Sequence, residues 1–427
     1  MISVNKRVTA VAALSALALV AAACGSSSKP AAAPTTTAAA TTTAAAPAAT
    51  TAPTTAATTA ATTAGTTAAT TGGTTAGTTA ATTAGTTGDT SVTKTGISDA
   101  ECSANKAVGK ITYLSSFDFS ASASIIDVVV AKDKGYFDKM CLDVDLKPSF
   151  STSNYPLVAA GQGQFSSAGS YTEILNYTTG GAEFVALVDY GKSPIEALIT
   201  PDGGATDLAS LKGKTIGVKG DIPPSIVAML AKAGLKRGTD YKEVLLKGFD
   251  PVAQLSSGID ALPVYKSNEP GQLDAKNIKY TLFDPAKQDI PGSFGLLYTS
   301  KDFATKHPTA TKDFIRAALH GMEDAIADPA AAVATSVKMI NAAGNQNYLT
   351  QVGETYRWKQ ELAVVQASTP SGEPIGLIDP AVFANEYKTY VDGGVWPKGA
   401  PKDGNYYDAN LAKSLYGSDG KVIWPAS

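Results

Sequence analysis

The sequence predicts an α/β fold with two lobes joined by a two-segment hinge, and three observations support this. Short alternating segments such as "KITYLSSF" and "LDVDLKPS" are interleaved with apolar residues at helical spacing, as in "SASIIDVVVAKDKGYF". The pattern restarts after the glycine-rich break "TPDGGATD", and a mainly helical region follows the last strand. Parallel strands with right-handed crossover helices are the usual way to connect such segments.

The N-terminal segment is typical of a secretory signal. Lys6 and Arg7 precede an uncharged, mostly apolar run, and small residues then abut Cys24. The run is too short to span a bilayer comfortably. We predict that residues 1–24 are a bacterial lipoprotein signal and that Cys24 carries the lipid. The alternative is an ordinary cleaved signal with Cys24 near the cut by chance.

Residues 25–108 are predicted to be a disordered tether rich in alanine and threonine. From Pro30 to Gly88 every residue is Ala, Thr, Pro or Gly, so the stretch has no side chain large enough to build a core. As a flexible coil of about 60 residues it would reach on the order of 40 Å. Its threonines are candidate glycosylation sites.

The first lobe is predicted over residues 109–200. The strand "KITYLSSF" is followed by a helix that ends at "GYF", the strand "LDVDLKPS", and a short helix in "YPLVAAGQG" that ends in glycine. "FSSAGS", "EFVALVDYG" and "SPIEALITP" continue the alternation. In "AKDKGYF", Tyr136 and Phe137 are expected to cover the core, and Gly135 is expected to turn the chain.

The second lobe is predicted over residues 201–292. It contains the strand "TIGV", a helix from about Ser225 to Ala233, and the segments "EVLLKGF", "IDALPVY" and "IKYTLFDP". Residues 293–427, with the strand in "GSFGLLYTS" and the late helices, are expected to return to the first lobe. The chain would then cross between lobes twice, and a cleft between lobes so joined can close on a small molecule.

Charge and cysteine content narrow the class of protein. The formal net charge is −3, and the sequence lacks a basic patch with interleaved aromatic residues, which argues against nucleic acid as a partner. Besides Cys24 there are Cys102 and Cys141, and in an exported protein we predict a disulfide between them. The alternative is two unpaired thiols.

Three segments in order resemble one family. "AKDKGYF" with "LDVDL", then "LASLKGKTIGVKG", then "GIDALPVYKSNEPGQL" resemble the substrate-binding proteins of ABC importers, in the group that binds thiamine-pyrimidine precursors, riboflavin, sulfonates and nitrate. The resemblance covers about residues 110 to 400. The "NEP" of Asn268, Glu269 and Pro270, after Tyr265, is similar to the branch that binds pyrimidine precursors or flavins.

The resemblance implies a fold, partners and an activity. The fold is the type II periplasmic-binding architecture, and the partners are a small-molecule ligand and an ABC permease in the membrane. The chain is expected to be monomeric, without a cofactor, and not an enzyme. Fungal relatives of the pyrimidine branch are enzymes that use a cysteine-rich motif, which this sequence lacks.

The first-lobe candidates for ligand contact follow two strands. Phe117 and Asp118 enter a loop at a strand end, where a ring can stack on a heterocycle and a carboxylate can accept from N–H groups. The alternative places Phe119 in the core and makes Asp118 a helix cap. Ser170 and Tyr171 in "SSAGSYTEI" are candidates for the same reason, and otherwise they start a helix.

The other candidates lie near the hinge and in the second lobe. Tyr190 in "DYGKSP" is a candidate for stacking, or else a core residue with a polar tip. Asp221 in "VKGDIPPS" would oppose an anion and suit a neutral or cationic heterocycle, unless it is a turn residue. Tyr265 is expected to stack on the ligand, while Asn268 and Glu269 meet its N–H groups. Their alternative role is structural, at a turn.

Other functions have weaker support from the sequence. Neither His307 nor His320 has a partner at metal-ligand spacing, so no metal site is expected. The leading prediction is a lipid-anchored receptor on the extracytoplasmic face of the cell membrane, for a vitamin-like heterocycle. The alternatives are a receptor for a sulfonate, nitrate or other small anion, an enzyme on the same scaffold, and a cell-wall sensor or adhesin.

Overall fold

A computed structural model describes residues 97–402 and 404–425 of the chain. The predicted lipoprotein signal, Cys24 and almost all of the predicted tether lie outside the described residues. Within those ranges no helix is long and apolar enough to cross a membrane.

Ten strands lie within the described residues. Their bounds are β1 Lys110–Leu114, β2 Asp143–Lys147, β3 Phe165–Ala168, β4 Phe184–Gly191, β5 Glu196–Pro201, β6 Thr215–Val218, β7 Lys242–Leu245, β8 Leu262–Tyr265, β9 Tyr280–Phe283 and β10 Phe294–Ser300.

Thirteen α-helices occupy the same part of the chain. They are α1 Asp99–Ala107, α2 Ile126–Asp133, α3 Tyr136–Lys139, α4 Ser151–Ala159, α5 Tyr171–Thr178, α6 Pro224–Lys232, α7 Pro251–Leu255, α8 Glu269–Asp274, α9 Lys301–Lys306, α10 Pro308–Ala327, α11 Pro329–Ala342, α12 Gln351–Ser368 and α13 Pro380–Asp392.

Aspartate followed by proline starts several helices. Asp250, Asp328 and Asp379 each accept a backbone N–H from the first turn of α7, α11 and α13. Proline fits the first helical position because the backbone N–H that it lacks would have no partner within the helix.

The first sheet has five strands in the order β2-β1-β3-β10-β4. β1 is parallel to β2 and β3, whereas β10 runs antiparallel to β3 and β4. Successive residues of β10 alternate between two cores: Leu297 packs with α2 and α10, and Leu296 packs with α5 and α13. The sheet is therefore covered on both faces, as in an α/β protein.

The second sheet layer has two parts. β5 is the central strand of an antiparallel sheet, β8-β5-β9, and β6 pairs in parallel with β7. A bridge between Ile216 and Ala261, with a 2.9 Å hydrogen bond from the Gly217 N–H to the Ala261 carbonyl, joins the two parts.

The chain passes between the two layers twice, after β4 and after β9. The predicted boundaries of the lobes, 109–200 with 293–427 and 201–292, stay a prediction. Because β5 pairs only with strands of the second layer, we propose that the second lobe also takes in residues 196–200. The late helices contact both lobes: α12 touches β4 and α8, and α13 touches α5 and α6.

The first described helix is tied firmly to the first lobe. Cys102 in α1 forms a disulfide with Cys141, which precedes β2. The buried Asn105 side chain donates to the Met140 carbonyl and to Asp313 Oδ2, both at 2.8 Å. As predicted, the chain turns at Gly135, which has a left-handed φ of 69° and separates α2 from the short helix α3. As expected, Phe137 and Tyr136 are buried.

Candidate functional site

The site that we consider lies where three segments meet. Residues 115–120 follow β1 and residues 169–170 follow β3, so both segments leave the same edge of the first sheet. From the second layer comes the segment between β8 and α8, which holds the "NEP" residues. Helix α12 contacts Phe117 in the first of these segments and residues 267–268 in the segment from the second layer.

Glu269 is held in an ion pair inside the second lobe. Its side chain is 3% exposed, pairs with Lys219 Nζ, and accepts the Tyr265 backbone N–H at 2.9 Å. Burial opposes ionisation, but the charge and hydrogen bond of Lys219 outweigh it and lower the pKa of Glu269. The carboxylate is therefore ionised and already has partners. Its predicted contact with ligand N–H groups stays a prediction.

Asn268 and Phe117 meet at one guanidinium group that the sequence analysis missed. Arg357 Nη2 donates to Asn268 Oδ1 at 2.8 Å, and Arg357 Cζ lies 5.3 Å from the centre of the Phe117 ring. Arg357 Nε is 3.2 Å from both carboxylate oxygens of Glu354. Phe117 from one lobe and Asn268 from the other are thus brought together.

Glu361, one turn further along α12, also joins the two lobes. Its Oε1 accepts the Ser267 hydroxyl at 2.8 Å, and its Oε2 accepts the Ser122 hydroxyl at 2.6 Å and the Ala123 N–H at 2.8 Å. Glu354 Oε2 similarly accepts the Ala121 N–H at 2.7 Å. The available sequence signal was the spacing of residues 354, 357 and 361, which places three charged side chains on one helical face.

Asp118 lies beside this contact and is 5% exposed. It has a positive φ of 50°, and its carboxylate accepts the Phe119 N–H at 2.9 Å. Burial raises the pKa of Asp118, opposed by hydrogen bonds from Phe119 and Asn347. Phe119 is 4% exposed, as the structural alternative expected. The predicted ligand contact of Asp118 stays a prediction.

Ser170 and Tyr171 form the start of α5. The Ser170 hydroxyl accepts the Glu173 N–H at 3.1 Å, as an N-terminal cap does. The Tyr171 ring is 2% exposed, stacks on Phe383 at 4.1 Å, and donates its hydroxyl to the Gly404 carbonyl at 2.9 Å. The expected ligand contact of the Tyr171 ring is therefore corrected, because the ring is packed in the core.

Tyr190 is also corrected. It is fully buried beneath α2, where its hydroxyl donates to Asp127 Oδ2 at 2.7 Å. The alternative, a core residue with a polar tip, describes this position. Asp221 remains at the surface, with its side chain 75% exposed and paired with Arg237, and it accepts the Ile222 N–H at 2.9 Å. Arg237 is shared between Asp221 and Glu243, and the exposed Asp221 carboxylate lies mostly in solvent.

Carboxyl groups act on the ionisation of the Tyr265 hydroxyl. Burial, and after it the charges of Glu196, Glu173, Glu269 and Glu361, raise the pKa of Tyr265. Burial also raises the pKa of Glu173, and it raises the pKa of Glu196 to about 7. Tyr265 as a whole residue is 37% exposed.

Gly169 allows this close approach of the two lobes. A Cβ atom at position 169 would lie 2.7 Å from Glu173 Oε2 and 3.1 Å from Tyr265 Oη. The Gly169 N–H donates to the same Glu173 oxygen at 2.8 Å. The absence of a side chain at position 169 therefore lets a first-lobe loop lie directly against Tyr265.

A row of aromatic rings continues from Phe117. The Phe117 and Phe150 rings meet edge to face with centroids 5.9 Å apart, and the Phe150 and Phe249 rings are nearly parallel with centroids 6.3 Å apart. Phe150 is 41% exposed and Phe249 is 57% exposed. Neither Phe150 nor Phe249 was predicted to contact a ligand.

The histidines lie elsewhere. His320 stacks on Trp424 at 4.3 Å, and its Nδ1 is 2.9 Å from Glu323 Oε2. His307 joins α9 to α10. Within residues 97–402 and 404–425, no group of three or more His, Cys, Asp or Glu side chains is placed to hold a metal ion.

Comparison with known proteins shows what the chain is similar to. Residues 122–332 match the family described as "NMT1/THI5 like". Over 214 residues, 49% of this chain, it is 26% identical to the riboflavin-binding protein RibY of Chloroflexus aurantiacus, and it spans 55% of that relative's length. The predicted resemblance to the pyrimidine-precursor, riboflavin, sulfonate and nitrate group is confirmed.

Solved structures show the fold. The alkanesulfonate-binding protein SsuA from Xanthomonas axonopodis pv. citri, bound to MOPS, matches with a TM-score of 0.52 and 16% identity over 68% of this chain and 96% of its own. The putative periplasmic sulfonate-binding protein SsuA from Methylobacillus flagellatus KT matches with a TM-score of 0.52 and 15% identity over 71% of this chain and 93% of its own. The predicted two-lobed α/β architecture of periplasmic binding proteins is thus confirmed.

Proposed function

We propose that this NMT1/THI5-like chain is the extracytoplasmic substrate-binding component of an ABC importer. It holds a small, planar, vitamin-like heterocycle, of the thiamine-pyrimidine-precursor or riboflavin type, between its lobes and releases it unchanged to a membrane permease. The fold, the family match and the riboflavin-binding relative support this proposal.

The main support for the proposed ligand class is the set of acidic and basic side chains around Tyr265. The four carboxyl groups that raise its pKa approach from both lobes. The basic groups at the site are already engaged, Lys219 by Glu269 and Arg357 by Glu354. Burial raises the pKa of Glu173 and of Glu196, so these carboxyl groups are partly protonated, and Lys219 and Arg357 are already paired with carboxylates. An anion would therefore find no unpaired positive charge at these four residues, whereas a ligand with N–H groups would find carboxyl oxygens that accept hydrogen bonds.

A ligand that presents N–H groups suits the same cleft. Carboxylates accept hydrogen bonds and pair with positive charge, so they favour a neutral or cationic heterocycle over nitrate or a sulfonate. Phe150, which is 41% exposed, and the half-buried Phe117 beside it offer aromatic contact to a planar ring. This combination of a few polar groups with aromatic surface is typical of small-molecule sites.

The proposed location is the outer face of the membrane, with Cys24 as the lipid anchor. The disulfide between Cys102 and Cys141 is consistent with an oxidising compartment. A Cys24→Ser variant is expected to move from the membrane fraction to the soluble fraction of cells. Cells that lack the chain are expected to lose uptake of the labelled ligand.

A thermal-shift screen of the purified full chain tests the ligand class. The probes are 4-amino-5-hydroxymethyl-2-methylpyrimidine, riboflavin, taurine and nitrate. A ligand present at 100 times its Kd adds about 2.7 kcal/mol to the free energy of unfolding, so a heterocycle should raise the Tm whereas taurine and nitrate should not.

Two results would contradict the proposal. A Tm shift with taurine or nitrate, and none with either heterocycle, would show that the cleft accepts anions. Mass spectrometry of the recovered probe distinguishes a carrier from an enzyme: a carrier returns the probe unchanged, and a chemically altered probe would show turnover.

A further inference from the structure

Phe150 and Phe249 are large apolar rings that meet across the two lobes while remaining open to solvent. Phe150 precedes α4 in the first lobe, and Phe249 lies between β7 and α7 in the second. They are 41% and 57% exposed, although side chains of this size are usually buried. Their planes are only 7° from parallel, with ring centroids 6.3 Å apart.

The two rings are nearly parallel, but their centroids are only 6.3 Å apart, so a third ring could enter between them only after the lobes open. Carbon atoms attract best at about 3.5–4.0 Å, so a planar guest with one ring on each face requires about 7–8 Å between the outer ring centres. Because the observed distance between the ring centroids is 6.3 Å, the lobes must open slightly before such a guest can enter.

The two rings are held in place from behind. Phe117 meets Phe150 edge to face, and the Ser151 N–H after Phe150 donates to the Ser116 carbonyl at 3.0 Å. On the other side, the buried Gln254 side chain donates to the Gly248 carbonyl at 2.7 Å and so fixes the loop that presents Phe249. Such fixed groups lose little conformational entropy when a ligand binds.

We propose that Phe150 and Phe249 form an aromatic clamp that closes on the two faces of a planar heterocyclic ligand. This inference rests on the proposed function and adds the residues that recognise the shape of the ligand. The carboxyl groups around Tyr265 then select its charge, and the aromatic clamp selects a flat ring.

Contact between the two lobes does not by itself explain why Phe150 and Phe249 are exposed aromatic residues. Each leaves more than a third of its surface exposed, so the contact between them buries little area. In contrast, rings that serve only the core, such as Phe165 and Phe314 with centroids 3.8 Å apart, are fully buried. A guest between Phe150 and Phe249 would cover the exposed faces.

Isothermal titration of the full chain with riboflavin and with 4-amino-5-hydroxymethyl-2-methylpyrimidine tests the aromatic clamp. Phe150→Leu and Phe249→Leu keep apolar volume but remove the flat ring, and each should raise the Kd of a bound probe by about tenfold, equivalent to about 1.4 kcal/mol. Phe249→Tyr keeps a ring and should lose less affinity than Phe249→Leu.

Val391→Ala, at an exposed position of α13, is the matched control and should leave the Kd unchanged. All titrations are done below the melting temperature of each ligand-free variant. If the parent binds a probe and the leucine variants bind it equally well, the aromatic clamp is wrong while the proposed function stands. If Phe249→Tyr loses as much affinity as Phe249→Leu, the clamp is also wrong. A parent that binds neither probe overturns both.

Discussion

Buried carboxyl groups determine much of the residue-level chemistry of this protein. Asp127, Asp189, Glu196, Glu361 and Glu386 are all less than a tenth exposed, and burial raises the pKa of each. A carboxyl group whose pKa is higher in the folded than in the unfolded state binds its proton more tightly when folded. The free energy of unfolding therefore decreases as pH rises between the two pKa values.

Tyr190→Phe tests this linkage at Asp127. Burial raises the pKa of Asp127 from 3.8 to about 7, and the hydrogen bond from Tyr190 limits the rise. Without that hydroxyl the pKa rises further, so the ionised group is less well tolerated at neutral pH. We expect Tyr190→Phe to lower the free energy of unfolding by about 1–2 kcal/mol at pH 7 and by less at pH 4.5, measured by urea denaturation.

Asp127→Asn is the companion variant. Asp127→Asn removes the group that titrates. The free energy of unfolding should therefore decrease less between pH 4 and pH 7 in this variant than in the parent. Equal destabilisation of Tyr190→Phe at both pH values, with an unchanged slope for Asp127→Asn, would show that Asp127 does not titrate in this range.

Some of the candidate site residues could be predicted from sequence because their position follows from local pattern. Phe117, Asn268 and Glu269 come directly after strands, and strand ends are where an α/β sheet gathers its loops. Tyr190 also lies at a strand end, but alternation cannot tell which face is covered, and α2 buries it. Arg357 was missed because its partners Asn268 and Phe117 are distant in sequence.

Among the elements, α12 has a special place because it carries hydrogen bonds to both lobes. Glu354 and Glu361 hold the backbone of residues 121–123 in the first lobe, while Arg357 and Glu361 hold residues 267–268 in the second. A helix that fixes both sides of a cleft affects how the cleft opens and closes. The starts of α7, α11 and α13 are marked in the sequence by Asp-Pro dipeptides, a signal that the predicted elements did not use.

Glu361→Ala is expected to be strongly destabilising. The change removes the acceptor of the Ser267 and Ser122 hydroxyls and of the Ala123 N–H, and the side chain is 1% exposed. Leaving such donors unpaired in a buried site should lower the free energy of unfolding by about 2–4 kcal/mol, measured by urea denaturation.

Two variants define the cause of that loss. Glu361→Gln keeps one acceptor oxygen and should cost less than Glu361→Ala. Lys359→Ala, at an exposed position of the same helix, should change the free energy of unfolding by no more than about 0.5 kcal/mol. Equal costs for Glu361→Ala and Lys359→Ala would mean that these hydrogen bonds contribute little.

At the scale of the whole molecule, the two passages between the sheets lie against each other. Pro194 is in the passage from β4 to β5, and Gly292 is in the passage from β9 to β10. A Cβ atom at position 292 would lie 2.6 Å from Pro194 Cγ and 2.9 Å from Pro194 Cδ. The two-segment hinge was predictable from the restart of the strand pattern, but the contact between its segments was not, because nearly 100 residues separate them.

Gly292→Ala is therefore expected to disturb the hinge. The proline ring is rigid, so the added methyl group must push the two passages apart, at a cost of about 1–3 kcal/mol in the free energy of unfolding. Small-angle scattering of the ligand-free variant should give a different radius of gyration from the parent, because the angle between the lobes changes. Gly180→Ala is the matched control, since a Cβ atom at position 180 meets nothing within 4 Å. If Gly292→Ala and Gly180→Ala gave the same stability and the same scattering curve, the contact with Pro194 would have no influence on how the lobes are set.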